Sequence, residues 1–138
     1  MALGEGNLIL YGICGIEDTL ESIVSNLNIM QLQFEIKLIM MEAITNAFIH
    51  GNNSDIQKPI GLQYELNNNE LTIKVTDCGE GVEKILIPDE IKAEDILNET
   101  GKGLFLINYY SDEVELKGNS VIIKKYINNE VLVLWEFL

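Results

Sequence analysis

Arginine is absent from the chain: all nine basic residues are lysines, against 22 aspartates and glutamates. The formal net charge of −13 argues against direct nucleic-acid binding and against an anionic membrane surface as partner, because both require a positive field. The missing arginine also excludes a guanidinium fork or an arginine finger supplied by this chain. A soluble protein with other kinds of partner is therefore expected.

Cysteine is scarce as well. Cys14 and Cys78 lie far apart and fit no metal-binding spacing, so we expect two reduced and mostly buried thiols. No basic, apolar leader with a cleavage site is present, and no apolar run reaches transmembrane length. These absences predict a cytoplasmic protein. Its 138 residues, 47% of them apolar, predict one domain over 1–138 with its own core.

Hydrophobic periodicity and turn residues indicate an α+β fold, a two-layer sandwich in which helices cover one face of a mixed, mostly antiparallel sheet. Strands are predicted at 7–13, 60–66, 70–77, 112–117 and 120–127, with a further strand or apolar tail at 130–138. Helices are predicted at 16–29, 30–50 and 103–111, with a short one near 90–97. Gly51 is expected to end the second helix as a C-cap, together with Asn52 and Asn53.

The stretch "VTDCGEGV" (75–82) places Asp77 at the end of a strand, followed by Gly79 and Gly81. Glycines at these positions allow a tight turn or a close approach of the backbone to a ligand. The ordinary alternative is a strand-end turn, since Asp and Gly dominate turns for local reasons. Taken alone, the stretch favours that alternative.

The stretch "ETGKGLFLI" (99–107) places Gly101, Lys102 and Gly103 directly before an apolar helix. Backbone N–H groups at a helix start attract phosphate, and a lysine adds positive charge. The ordinary alternative is a flexible loop that enters a core helix. The spacing is not that of a Walker A loop, and neither glycine stretch is a dinucleotide-binding fingerprint.

The stretch "EAITNAFIHGN" (42–52) carries Glu42, Asn46 and His50 at intervals of four in an apolar segment. On a helix that spacing forms one polar stripe, which is costly to bury unless it binds something. The Asn46 oxygen suits Mg²⁺, and Glu42 one turn earlier could deprotonate an attacking hydroxyl. His50 alone is more ordinary, a cation near the negative end of the helix dipole.

In combination and in this order, the three motifs resemble those of the GHKL ATPase superfamily of gyrase, heat-shock chaperone, histidine kinase and mismatch-repair ATPases. "EAITNAFIHGN" is similar to its N box, "DCGEG" to its first glycine box and "GKGLFLI" to its second. The form E-A-x-x-N-A-x-x-H-G most resembles the anti-sigma factor serine kinases of Gram-positive bacteria. The similarity extends from the first predicted strand to "VIIKKYI".

The resemblance implies a role for each matching residue. Glu42 would be the catalytic base. Asn46 would be a ligand of the Mg²⁺ ion and would bind the nucleotide through that ion. Asp77 would accept a hydrogen bond from the adenine amino group of ATP. Gly79 and Gly81 would shape that pocket.

The second glycine box implies further contacts. Gly101, Lys102 and Gly103 would border the phosphates, and residues 83–100 would form a lid over ATP. The family often has arginine where Lys102 stands, and lysine keeps the charge but loses the planar fork. The tail over 130–138 extends past the matched region, and its aromatic residues favour core packing over a partner surface.

The resemblance implies a serine-protein kinase that uses ATP and Mg²⁺, binds a sigma factor and phosphorylates a small anti-sigma antagonist protein. It also suggests a homodimer. Two alternatives remain: a non-catalytic, ATP-gated binding module, and the detached catalytic half of a histidine kinase. The latter is disfavoured because no dimerisation helix or phosphoacceptor histidine segment precedes the first predicted strand.

Overall fold

A computed structural model describes residues 4–27, 29, 32–79 and 99–127, and only the backbone of residues 99–102. The elements in these ranges, in chain order, are β1 (Glu5–Leu10), α1 (Ile16–Leu27), α2 (Gln33–Asn46), a π-helical turn (Ala47–Gly51), β2 (Ile60–Asn67), β3 (Glu70–Thr76), α3 (Glu99–Tyr110), β4 (Glu113–Lys117) and β5 (Ser120–Tyr126). No described helix combines the length and hydropathy that crossing a bilayer requires.

The five strands form one sheet in the order β1-β2-β3-β5-β4. Every described pairing is antiparallel, so the α+β class and the predominantly antiparallel sheet are confirmed. Burial alternates along β3, as a strand with one face on a core requires. The helices cover that face, and strand residues Leu62, Ile73 and Ile123 share one core with Leu20 of α1 and Ile39 of α2.

Several element boundaries differ from the predicted ones. β1 stops at Leu10 rather than residue 13, because Gly12 has a left-handed φ of 72° that turns the chain. The long second helix changes to π geometry after Asn46. The helical segment ends at Gly51, as predicted, with Asn52 as its C-cap. The left-handed φ values that follow, 53° and 58°, belong to Asn53 and Ser54.

The helix after the lid region was predicted to begin at Gly103, but α3 begins at Glu99. Gly101 and Gly103 are therefore helical, at a cost of about 1 kcal/mol each relative to alanine. The expectation of mostly buried thiols is also wrong, since Cys14 and Cys78 are both exposed. Each lies in a connecting segment, and such segments run over protein surfaces. The predicted short helix near 90–97 and the tail over 130–138 lie outside the described residues.

Candidate functional site

A cavity of about 520 Å³ opens between α2 with its π turn, α3, and the sheet at the end of β3. Seven aliphatic side chains line it: Ala43, Ala47, Val75, Leu104, Ile107, Leu116 and Val121. Polar groups reach the same space from Asn46 and Asp77, which the sequence predicted to act together. The combination of apolar walls and a few directed polar groups is typical of small-molecule sites.

Asp77 presents a half-buried carboxyl group to this cavity. Its Oδ1 accepts a hydrogen bond of 2.7 Å from the Gly79 backbone N–H. Burial raises the pKa of the Asp77 carboxyl above its ordinary value, and the hydrogen bond from Gly79 opposes part of that rise. The Asp77 carboxylate is thus a hydrogen-bond acceptor held in a partly desolvated position.

Two glycines make room for that carboxyl group. A Cβ added to Gly51 would overlap the side chain of Asp77. A Cβ added to Gly79 would lie 2.8 Å from the Gly51 carbonyl oxygen and 3.0 Å from Asp77 Oδ1. Gly51 is therefore required for the close approach of this segment to Asp77, and not for a left-handed turn.

Two asparagines that the sequence did not single out hold the backbone around Asp77. Asn119, in the turn between β4 and β5, accepts a hydrogen bond of 3.0 Å from the Asp77 N–H through its carbonyl oxygen. Its side-chain Nδ2 donates to the Asp77 carbonyl oxygen at 2.5 Å. Asn52 holds the next residue, since its Oδ1 accepts from the Cys78 N–H at 2.7 Å. In the sequence, both residues occupy positions that are typical of ordinary turn and helix-cap asparagines.

Asn46 and Glu42 meet α3 at Gly103. A Cβ on Gly103 would lie 2.9 Å from Glu42 Oε2 and 3.0 Å from Asn46 Nδ2, so the absence of a side chain there lets the two helices approach. Among the described residues, Asn46 lines the cavity, whereas Glu42 lies one turn away along α2 with its carboxylate against Gly103.

The Asn46 amide fits a metal-bound nucleotide. Its Nδ2 is a buried atom that has no hydrogen-bond partner in the described part of the chain, an arrangement that is costly unless a ligand satisfies the group. Half a turn about the last side-chain bond exchanges Nδ2 for Oδ1, and an amide oxygen is a ligand that Mg²⁺ accepts. The described residues contain no cluster of three or more His, Cys, Asp or Glu side chains that could hold a metal by themselves. A single protein ligand is consistent with Mg²⁺ that arrives with phosphate oxygens.

Three further sets of residues from the motifs remain. His50 is exposed and lines the cavity, so the π turn does not remove it from the site. Gly81 lies outside the described residues, as does the 83–98 part of the predicted lid. Gly101 and Lys102 belong to the first turn of α3, and the Lys102 side chain is outside the described part.

Comparison with known proteins adds to this geometry. The sequence profile of the histidine kinase-like ATPase domain matches residues 17–125, a range that contains Glu42, Asn46, Asp77 and Gly103. The anti-sigma F factor of Clostridium perfringens is 31% identical over 101 residues, covering 68% of this chain and 72% of that protein. The serine-protein kinase RsbW of Listeria monocytogenes is 30% identical over 105 residues, covering 70% of this chain and 67% of that protein.

Proposed function

Because the chain belongs to the histidine kinase-like ATPase domain family, we propose that it is an ATP-dependent protein serine kinase of the anti-sigma factor type. In this proposal it binds a sigma factor and phosphorylates a small protein that antagonises that binding. The similarity to proteins named anti-sigma F factor and serine-protein kinase RsbW supports the choice of partners. Cytoplasmic location and a homodimer belong to the same proposal.

The observation that carries the nucleotide assignment is the Asp77 carboxylate on the wall of an apolar cavity. The flat adenine ring would lie between the apolar side chains, and Asp77 would accept a hydrogen bond from its 6-amino group. Guanine has a carbonyl oxygen at that position, so two acceptors would face each other. The site would therefore select ATP over GTP by the cost of unpaired buried acceptors.

The phosphate end of ATP would lie toward Asn46 and the first turn of α3. Mg²⁺, when bound, neutralises phosphate charge, and the unsatisfied Asn46 amide is the protein group available to hold it. The N-terminal part of α3 would attract phosphate together with Lys102, because N–H groups at a helix start favour anions. Gly81 would complete the adenine pocket after Gly79.

Phosphoryl transfer would use Glu42 as the base. The serine hydroxyl oxygen of the antagonist protein forms a bond to the γ-phosphorus, the bond from that phosphorus to the bridging oxygen breaks, and ADP leaves. Glu42 takes the hydroxyl proton as the new bond forms. Its position one helical turn before Asn46, with both side chains against Gly103, supports this division of roles.

Incubation with labelled ATP, Mg²⁺ and candidate antagonist proteins from the same genome tests the proposal. We expect label on a serine of one antagonist, and no label when Mg²⁺ is chelated. Binding of ATP without transfer to any candidate would favour the alternative, a non-catalytic ATP-gated binder.

A further inference from the structure

Asn52 is the one fully buried polar side chain in the described part of the chain. Burying an amide without partners is costly, so such a group needs hydrogen bonds. Asn52 has them on both sides: Nδ2 donates to the Lys58 carbonyl oxygen at 3.1 Å and to the Pro59 carbonyl oxygen at 3.2 Å. Its Oδ1 accepts from the Cys78 N–H at 2.7 Å.

These bonds join three segments that meet beside the cavity. Asn52 follows the π turn, Lys58 and Pro59 lead into β2, and Cys78 follows Asp77 at the end of β3. The short bond to Cys78 spans 26 positions of sequence. Asn52 therefore fixes the strand end that carries Asp77 relative to the helix that carries Asn46.

The peptide group between Asp77 and Cys78 is held from its two edges. Its carbonyl oxygen accepts from Asn119 Nδ2 at 2.5 Å, and its N–H donates to Asn52 Oδ1 at 2.7 Å. Fixing this peptide plane sets the backbone torsion that follows the Asp77 Cα, and with it the direction in which the carboxyl group leaves the chain. A polar group held in this way before the ligand arrives loses little entropy on binding.

We propose that Asn52 is a positioning residue that sets adenine specificity through Asp77. It does not touch the nucleotide; it holds the Asp77–Cys78 peptide so that the Asp77 carboxylate already faces the 6-amino group. The proposal rests on the proposed function, in which Asp77 reads that amino group. It predicts that replacing Asn52 lowers the preference for nucleotides that carry the 6-amino group, in addition to lowering the stability of the fold.

Two nucleotides that differ only at this amino group test it: ATP, and purine riboside triphosphate, which has hydrogen in place of the 6-amino group. Calorimetric titration of the full chain with each gives a ratio of dissociation constants. We expect wild type to favour ATP roughly 10- to 100-fold, the range for a hydrogen bond to a charged group. In Asn52→Ala we expect that ratio to fall to within about threefold of unity, with little change for the analogue. Asn67→Ala, at an exposed position near the end of β2, should keep the wild-type ratio.

The outcomes separate the two proposals. A wild-type ratio near one would remove the Asp77 assignment on which the Asn52 proposal depends. A normal wild-type ratio that Asn52→Ala leaves unchanged, with both affinities lowered together, would overturn the positioning role alone. In an Asp77→Asn background, Asn52→Ala should change the ratio no further, because it acts through Asp77.

A measurement on the unmodified chain covers the case in which Asn52→Ala does not fold. Hydrogen exchange of the Cys78 amide, followed by NMR without nucleotide, should be slow because Asn52 Oδ1 already holds that N–H. Exchange as fast as in an exposed loop, with protection appearing only when ATP is added, would mean that the site is not preorganised and would overturn the proposal.

Discussion

At the scale of single residues, the Asp77 carboxylate lowers folding stability at neutral pH but supplies the acceptor that the proposed adenine site requires. Burial raises the pKa of its carboxyl group, so the ionised form at neutral pH is less favourable in the folded chain than in the unfolded chain. The protonated form contributes stability that is fully present below the ordinary aspartate pKa. That stability is lost as pH rises through the raised pKa of the folded state. At neutral pH the carboxylate is thus a partly desolvated acceptor, available to the nucleotide amino group in the proposed function.

Replacing this carboxylate with an amide should therefore have opposite effects on stability and binding. We expect Asp77→Asn to raise the melting temperature of the nucleotide-free chain at neutral pH, because Asn has no charge to desolvate and can still accept from the Gly79 N–H. The gain should shrink as pH falls through the raised pKa of the folded state and be absent below the ordinary aspartate pKa. ATP binding should weaken by roughly 1–3 kcal/mol, measured by calorimetry.

The control for this experiment is Glu65→Gln, a matched change at an exposed position of β2, which should alter ATP affinity by less than about 0.5 kcal/mol. Unchanged ATP affinity in Asp77→Asn would mean that Asp77 serves only the turn after β3.

Glu42 and Asn46 should fail in different ways. Glu42→Gln keeps the shape of the side chain but cannot take up a proton at neutral pH, so phosphoryl transfer should fall on the order of 10²–10⁴-fold while ATP binding persists. Asn46→Ala removes the proposed metal ligand and should weaken Mg²⁺-dependent ATP binding itself. Single-turnover transfer and ATP titration on both variants separate the two effects. Transfer at the wild-type rate by Glu42→Gln would argue for the ATP-gated binder.

At the scale of elements, glycine positions show how closely the segments around the cavity approach. Gly103 lets α3 lie against Glu42 and Asn46 of α2, and Gly51 leaves room for the Asp77 carboxyl group at the end of β3. Neither residue has a left-handed φ. Both glycines allow neighbouring elements to approach each other more closely than a Cβ would permit.

Gly51→Ala tests this view directly. The added methyl group would overlap the Asp77 carboxyl group, so the carboxylate must move, and we expect weaker ATP binding together with an overpacking cost of roughly 1–3 kcal/mol in unfolding free energy. Gly61→Ala is the matched control, because the nearest atom to its added Cβ, Thr76 Cβ, is 3.8 Å away. Equal ATP affinity of the two variants would show that the contact at Gly51 does not determine where Asp77 points.

The sequence predicted those features of the fold that depend on local residue patterns. The five strands and the first helix follow from periodicity and turn residues, and the meeting of Asn46 and Asp77 at one cavity was implied by the resemblance of the motifs to the GHKL superfamily. The π turn at Ala47–Gly51 was not predicted, because no local pattern distinguishes it from a continued α-helix. Asn52 and Asn119 were not predicted as site residues either, since their contacts with the Asp77–Cys78 peptide span 26 and 42 positions.

At the scale of the whole molecule, an acidic chain without arginine must bind an anionic ligand. Long-range repulsion from a net charge of −13 disfavours ATP, so in the proposed function binding would depend on short-range groups: helix N–H groups, lysine, Mg²⁺ and the apolar cavity. Nucleotide binding should consequently require the divalent cation and show base selectivity.

Thermal unfolding with different nucleotides tests this expectation. With Mg²⁺ present, ATP should raise the melting temperature by mass action, equivalent to about 2.7 kcal/mol when the ligand is about 100 times its dissociation constant. GTP should raise it much less, because its carbonyl oxygen faces Asp77. Chelating Mg²⁺ should remove most of the ATP effect. Equal stabilisation by GTP and ATP would be incompatible with the adenine pocket described for Asp77.

The strand order also determines when during synthesis the pocket can form. Asp77 directly follows β3. Its N–H and C=O are held by Asn119, in the turn just before β5, and β5 is the strand that pairs with β3. A ribosome exposes Asn46 and Asp77 well before it exposes that hairpin. The nascent chain therefore cannot hold Asp77 in this way until that hairpin has emerged, and we expect nucleotide binding only after synthesis has passed β5.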